Sequence, residues 1–164
     1  MTGLADVVGL GANSVDLVHF LPHAPQAEGP WSKMRIGRQR VSCGGQTATA
    51  MAACAALGLS ASYVGAIGAD DHGRRIRDEL ARRGVDVSGL VERQAANQFA
   101  LILVDERSGE RIVLWSRDER LNLTDDEIPA EAIGAARALH VDDTDLGAAI
   151  AAALVAQRAD VMVT

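Results

Sequence analysis

The sequence predicts an α/β fold, a parallel sheet with crossover helices that carries a separate antiparallel flap. Three observations predict it. Short apolar runs closed by glycine, "ADVVGLG" and "ASYVGAIG", alternate with stretches of helical periodicity, and strand–helix alternation is what parallel βαβ units produce. The segment "NQFALILVDERSGERIVLWS" breaks that alternation with two β-rich runs around Ser108 and Gly109, which is a hairpin and therefore antiparallel. Finally, 48% of the 164 residues are hydrophobic, enough for the packed core of one domain.

Taken in order, "ADVVGLG" reads as a buried first strand, since a short apolar run ending in glycines suits a central parallel strand. The stretch from Leu17 to Arg40 contains Pro22, Pro25 and Pro30, yet its extended pieces "LVHFL" and "KMRIGRQRV" can give the flap its other strands. In "SCGGQTATAMAACAALG", the periodicity of Ala48, Met51, Ala52 and Ala55 predicts a helix from Gln46 to Leu57, with Gly58 as a left-handed C-cap. "ASYVGAIG" is the next core strand. "DDHGRRIRDELARRG" follows as a charged amphipathic helix, with Ile76 and Leu80 inward and Gly84 as its stop. After the hairpin, "ARALHVDD", "LGAAIAAALVAQRA" and "DVMVT" repeat strand, helix and strand. The core is thus expected at 1–16, 41–96 and 117–164, and the flap at 17–40 and 97–116. "DVMVT" reaches Thr164 as a core strand with no covering element after it, the pattern of a sequence cut short.

Charge and targeting narrow the function classes. A net charge of −6 leaves no broad basic footprint for a nucleic-acid backbone. The N-terminus lacks a basic flank and a long apolar run, and the Ala-rich stretch 147–156 is too short to span a bilayer. A cytoplasmic protein is expected, in which Cys43 and Cys54 stay unpaired. Cys54 is read as core, and Cys43, beside the glycine pair, as a candidate to line a site. His19, His23, His72 and His140 are scattered without metal-ligand spacing. "GLGANS" begins like a dinucleotide fingerprint but has Ser14 where the third glycine belongs.

The order of "VVGLGANSVD", "GGQTATAMAACAALG", "YVGAIGADDHGRRIRDELARRGVDV" and "ALILVDERSGERIVLWS" resembles the N-terminal half of ribokinase-like carbohydrate kinases, the PfkB family. The resemblance covers nearly the whole chain. It implies an enzyme that phosphorylates a sugar or nucleoside hydroxyl with ATP and Mg²⁺, on an α/β domain with a β-sheet lid over the sugar. The flap would be that lid, and lids of two subunits would clasp in a homodimer.

Residue by residue, the resemblance implies that Asp16 accepts hydrogen bonds from substrate hydroxyls, a task that suits a carboxylate; from spacing alone it could equally cap a turn. Gly44 and Gly45 match the family's glycine pair, where the backbone meets the sugar at a helix start, with Gln46 next to them. Thr49 stands where the family usually has asparagine, and Ser14 where asparagine often precedes the aspartate, with Asn13 one place off; each swap replaces an amide by a hydroxyl or moves it. Asp142 or Asp143, at the carboxyl end of a parallel strand, is placed for another substrate contact, although Asp143 with Thr144 could be an N-cap. Trp31 and Trp115 could stack on a sugar or simply pack. The resemblance puts the catalytic base, the anion hole, the ATP pocket and the Asn and Glu that organise Mg²⁺ in a C-terminal half, so this chain is expected to bind substrate without turning it over. A nucleoside kinase, or a non-catalytic sugar-binding or dimerisation module, is the alternative.

Overall fold

A computed structural model describes residues 5–29 and 32–164. In chain order its elements are β1 (Val7–Leu10), β2 (Ser14–Leu21), β3 (Arg38–Gly44), α1 (Gln46–Ala56), β4 (Ala61–Gly68), α2 (Asp71–Arg82) and β5 (Asp86–Arg93). They continue as β6 (Phe99–Asp105), β7 (Arg111–Ser116), α3 (Ala130–Ala135), β8 (Ala138–Val141), α4 (Leu146–Arg158) and β9 (Met162–Val163).

Five strands form an all-parallel sheet in the order β5-β4-β1-β8-β9. Its centre is buried on both faces, which is why β1 and β4 read as continuous apolar runs rather than alternating ones. Val7 and Val8 show the division. Val7 joins Met51, Tyr63, Ile67, Ile76 and Leu80 in a core under α1 and α2. Val8 joins Leu10, Val64, Ile133, Leu139 and Ala152 in a second core under α3 and α4. The predicted helix ends hold, with Gly58 and Gly84 both at left-handed φ.

The other sheet has the order β3-β2-β6-β7 and is mixed: β2 pairs antiparallel with β3 and parallel with β6, and β6 with β7 forms the expected hairpin. The strands foreseen within 17–40 exist, but their pairing runs further, because Ser14 pairs with Gly44 and Asp16 with Ser42. The small sheet therefore takes in Ser14–Asp16 and Val41–Gly44, beyond the limits drawn from composition. Strand β5 was not expected; as an edge strand with polar positions throughout, "DVSGLVER" lacks an apolar run.

Because α1 follows β1 on one face while α4 follows β8 on the other, the neighbours β1 and β8 form a topological switch point. In open α/β sheets, a ligand crevice forms outside the carboxyl ends of such strands.

Candidate functional site

At that switch point lies an open cleft of about 740 Å³, floored by the carboxyl ends of β1 and β8 and the start of α1, and roofed by one face of the small sheet. Of the residues singled out from sequence, Ser14, Asp16, Gly44, Gly45, Gln46, Thr49 and Asp143 line it together. Asn13 and Asp142 do not; both side chains are engaged within the protein.

Asp16 is half-buried on β2, and the Ser14 hydroxyl donates to its Oδ1 at 3.0 Å. The residue that replaces the family's asparagine thus orients the carboxylate. Gly44 lies against the other oxygen, so any side chain there would strike the Asp16 carboxylate. Gly45 has φ +95, and a Cβ on it would stand 2.5 Å from the Ala12 carbonyl oxygen. Glycine is needed at both positions for close contacts inside the protein, with Gly44 leaving room for the Asp16 carboxylate beside the cleft.

The amides at the start of α1 are largely taken. The Thr47 amide donates to Asp142 Oδ2 at 3.2 Å, and the Ala48 amide to the Ala12 carbonyl at 3.1 Å. Asp142 Oδ2 also accepts from the Thr47 hydroxyl at 2.7 Å and the Ala12 amide at 2.8 Å, while Oδ1 accepts from the Thr144 amide at 3.0 Å. Burial opposes ionisation of Asp142, but these bonds from Thr47, Ala12 and Thr144 outweigh it and hold its carboxyl below the usual carboxylate range. Asp142 fastens β8, the β1–β2 turn and α1 to one another. The N-cap of α4 is Asp145, which accepts from the Ala148 amide, and not Asp143. Asp143 is thereby left in the cleft.

Asn13 belongs to a second buried network. Its Nδ2 donates to the Tyr63 hydroxyl at 3.0 Å and the Ala66 carbonyl at 2.8 Å, and its Oδ1 accepts from Asn97 at 3.2 Å. Tyr63 in turn donates to the Gly11 carbonyl at 2.6 Å, and Asn97 accepts from the Gly68 amide at 3.0 Å. Burial drives the Tyr63 phenol well above its ordinary range, so it remains a donor. This network pins both chain passages between the two sheets, at 11–14 and at 97–98.

Sequence reading missed Thr47, Tyr63 and Asn97 as anchors, and Gln98 and Arg117 as cleft residues. Thr47 had a signal, since it lies four residues before Met51 on the buried stripe of α1. Trp115 lines the cleft and is 69% exposed; Trp31 lies outside the described residues. Cys43 is half-buried on the opposite face of the small sheet, beside the Arg75 carbonyl, and Cys54 is only partly buried against the first core. Both are free thiols. Among the described residues no three His, Cys, Asp or Glu side chains converge on a metal position, and no helix is long and apolar enough to cross a membrane.

Comparison with known proteins agrees with this architecture. Residues 6–162 match the family described as pfkB family carbohydrate kinase. An ATP-dependent ribose-1-phosphate kinase from Halopiger xanaduensis is 30% identical over 96% of this chain and 52% of its own length. A 5-dehydro-2-deoxygluconokinase from Shouchella clausii is 32% identical over 86% of this chain and 42% of its own. A crystal structure from Agrobacterium tumefaciens, provisionally described as a ribokinase, superposes with a TM-score of 0.84 at 28% identity, covering 97% of this chain and 51% of that one. The chain spans about half the length of the curated relatives it matches. With its two-sheet fold and the family match over nearly all its residues, the chain belongs to the pfkB family of carbohydrate kinases.

Proposed function

We propose that this chain is the substrate-binding and lid half of an ATP-dependent kinase that phosphorylates a sugar hydroxyl. The observation that carries the reading is the cleft itself. It gathers Asp16, oriented by Ser14, with Thr49, Asp143 and Gln98 at the switch point, beneath a sheet face that includes Trp115. Asp16 accepts from two adjacent sugar hydroxyls, Thr49 and Gln98 offer further polar contacts, and the small sheet excludes water from above.

The residues described do not fit ATP or Mg²⁺. The α1 amides that could cradle a phosphate are held by Asp142 and Ala12, and among the described residues no group of three His, Cys, Asp or Glu converges on a cation position. No step is assigned to either group here; this half binds and orients the sugar. Relatives include a nucleoside kinase from Methanothermobacter thermautotrophicus, and the broad exposed face of Trp115 gives a base somewhere to stack, so a nucleoside acceptor is the second reading. The same proposal includes a cytoplasmic homodimer through the lid, supported by β7, an edge strand exposed along its length with Ile112, Val113 and Leu114 uncovered.

The test is ADP release by the full-length gene product across a panel of sugars and nucleosides, with Asp16→Asn as the control. ATP-dependent phosphorylation of at least one sugar, weakened in D16N, supports the reading. Turnover of nucleosides alone selects the second reading, and the absence of any phosphorylation overturns both.

A further inference from the structure

Three polar side chains lie almost wholly buried where the two sheets meet: Tyr63 at 0% exposed, Asn97 at 2% and Asn13 at 5%. Burying such groups is costly unless every donor and acceptor is met. Here they are met. Each Nδ2 donates twice, that of Asn13 to the Tyr63 hydroxyl and the Ala66 carbonyl, that of Asn97 to Asn13 Oδ1 and, at 2.9 Å, to the Gln98 carbonyl. Asn97 Oδ1 accepts from the Gly68 amide. The Asn97 main-chain amide donates at 2.9 Å to Asp70 Oδ2, whose other oxygen caps α2 by accepting from the Gly73 amide at 2.8 Å. The junction has no slack: a Cβ on Gly68 would stand 2.4 Å from the Asn97 amide nitrogen, and one on Gly73 would strike the Gly68 carbonyl.

The anchored residues are the immediate neighbours of residues that line the cleft. Gly11, Asn13 and Asn97 are held by the network, and Ala12, Ser14 and Gln98, each one place further along the chain, line the cleft. Ser14 and Gln98 also lie side by side, since Val15 pairs with Phe99 and the Val15 amide donates to the Gln98 carbonyl at 3.2 Å. That carbonyl is therefore gripped from both strands. Gln98 stands two residues before Ala100, which pairs with Asp16 and lines the same cleft, so the Gln98 side chain points to that side. An apolar seam of the same volume would hold the sheets together as firmly. Hydrogen bonds are directional, however, and a fully satisfied set fixes one relative position of the groups it joins.

We propose that Asn13 and Asn97 are positioning residues for the sugar acceptor. Joined to each other and to Tyr63, they set Ser14 and Gln98 side by side, so that Asp16, oriented by Ser14, and the Gln98 carboxamide meet one sugar at a fixed spacing. The network touches no ligand. Its product is stereochemical selectivity, because only a sugar whose hydroxyls match that spacing satisfies both groups at once. The inference rests on the kinase reading and adds to it the residues that set the geometry of its acceptor site.

The test is steady-state phosphorylation by the full-length gene product with ATP, across ribose, arabinose, xylose, glucose, mannose and fructose. The readout is the ratio of kcat/KM for the best sugar to that for each of the others, because a smaller folded fraction lowers both values alike and leaves the ratio unchanged. Asn97→Leu should lower that ratio at least about fivefold and raise the KM for the sugar, with the KM for ATP staying within about twofold. Tyr63→Phe keeps the ring in the core and removes only the hydroxyl that Asn13 and Gly11 share. It should move the ratio in the same direction by a smaller factor, and it decides the matter if the Asn97 variant does not fold. Unchanged selectivity in the folded variants overturns the inference, as does a rise of both KM values together. If the wild type phosphorylates these sugars and the variants keep its selectivity, the inference falls and the kinase reading stands; if the wild type phosphorylates none of them, both fall.

Discussion

The two sheets of this protein divide its labour. In the large sheet every position of β1 is buried, and residues on both faces disappear into separate cores. In the small sheet the edge strand β7 is exposed at every position, and the face above the cleft carries Asp16 and Trp115. Packing is two-sided in the large sheet, and the candidate cleft lies where a sheet has one face open to solvent. The seam between them is polar and buried, with Asn13, Asn97 and Tyr63 on one side and Asp142 with Thr47 on the other. Such fully satisfied networks hold two elements in one relative position, which apolar packing alone does less well.

The sharpest way to break this comparison is truncation on each side. Ile76→Ala, at a fully buried position on the inner face of α2, should cost about 3 kcal/mol of unfolding free energy. Leu114→Ala, on exposed β7, should stay within about 0.5 kcal/mol. Urea denaturation measures both, and equal losses would show that the small sheet is as much a part of the stabilising core as the large one. Next in size is the seam. Asn97→Leu leaves the Gly68 amide and the Asn13 side-chain oxygen without their partner, at a cost of roughly 2 kcal/mol. A cost near zero would mean that the network does not tie the sheets.

How much of this was legible beforehand follows the same division. Strands β1 and β4 and helices α1 and α2 were readable because burial on both faces leaves unbroken apolar runs and glycine stops in the sequence, whereas the short helix α3 had no such signal. Strand β5 was not, since its pairing with β4 rather than its composition makes it a strand. The cleft was legible through Asp16 and the glycine pair, but the roles of Asn13 and Asp142 were not. Both are polar residues near the right strand ends, and only long-range hydrogen bonds, from Tyr63 and Asn97 to one and from Thr47 to the other, reveal that they face inward.

A smaller effect, dependent on pH, sharpens the seam. Because the folded-state carboxyl of Asp142 titrates below its ordinary range, near pH 4 in an unfolded chain, it adds stability above that pH and loses it as pH falls through the folded value. Asp142→Asn lacks this contribution. The gap between the urea midpoints of the wild type and D142N should therefore be widest near neutrality and narrow below about pH 4. A gap that stays constant down to pH 3 would show that ionisation of Asp142 plays no part in the seam.

The smallest effect on stability should accompany a large effect on binding, and it falls on Asp16. Among the described residues its carboxylate accepts only from Ser14, and it borders the cleft, so Asp16→Asn keeps the shape and removes the acceptor that the proposed sugar would use. Unfolding free energy should change by less than about 0.5 kcal/mol. Affinity of the full-length protein for its sugar should fall roughly tenfold to a hundredfold, since a charge-assisted hydrogen bond is lost and an amide donor faces the sugar hydroxyls. Paired denaturation and calorimetric titration separate the two quantities. A D16N variant that loses stability while keeping its affinity would move Asp16 from the open side of the comparison to the scaffold side, beside Asp142.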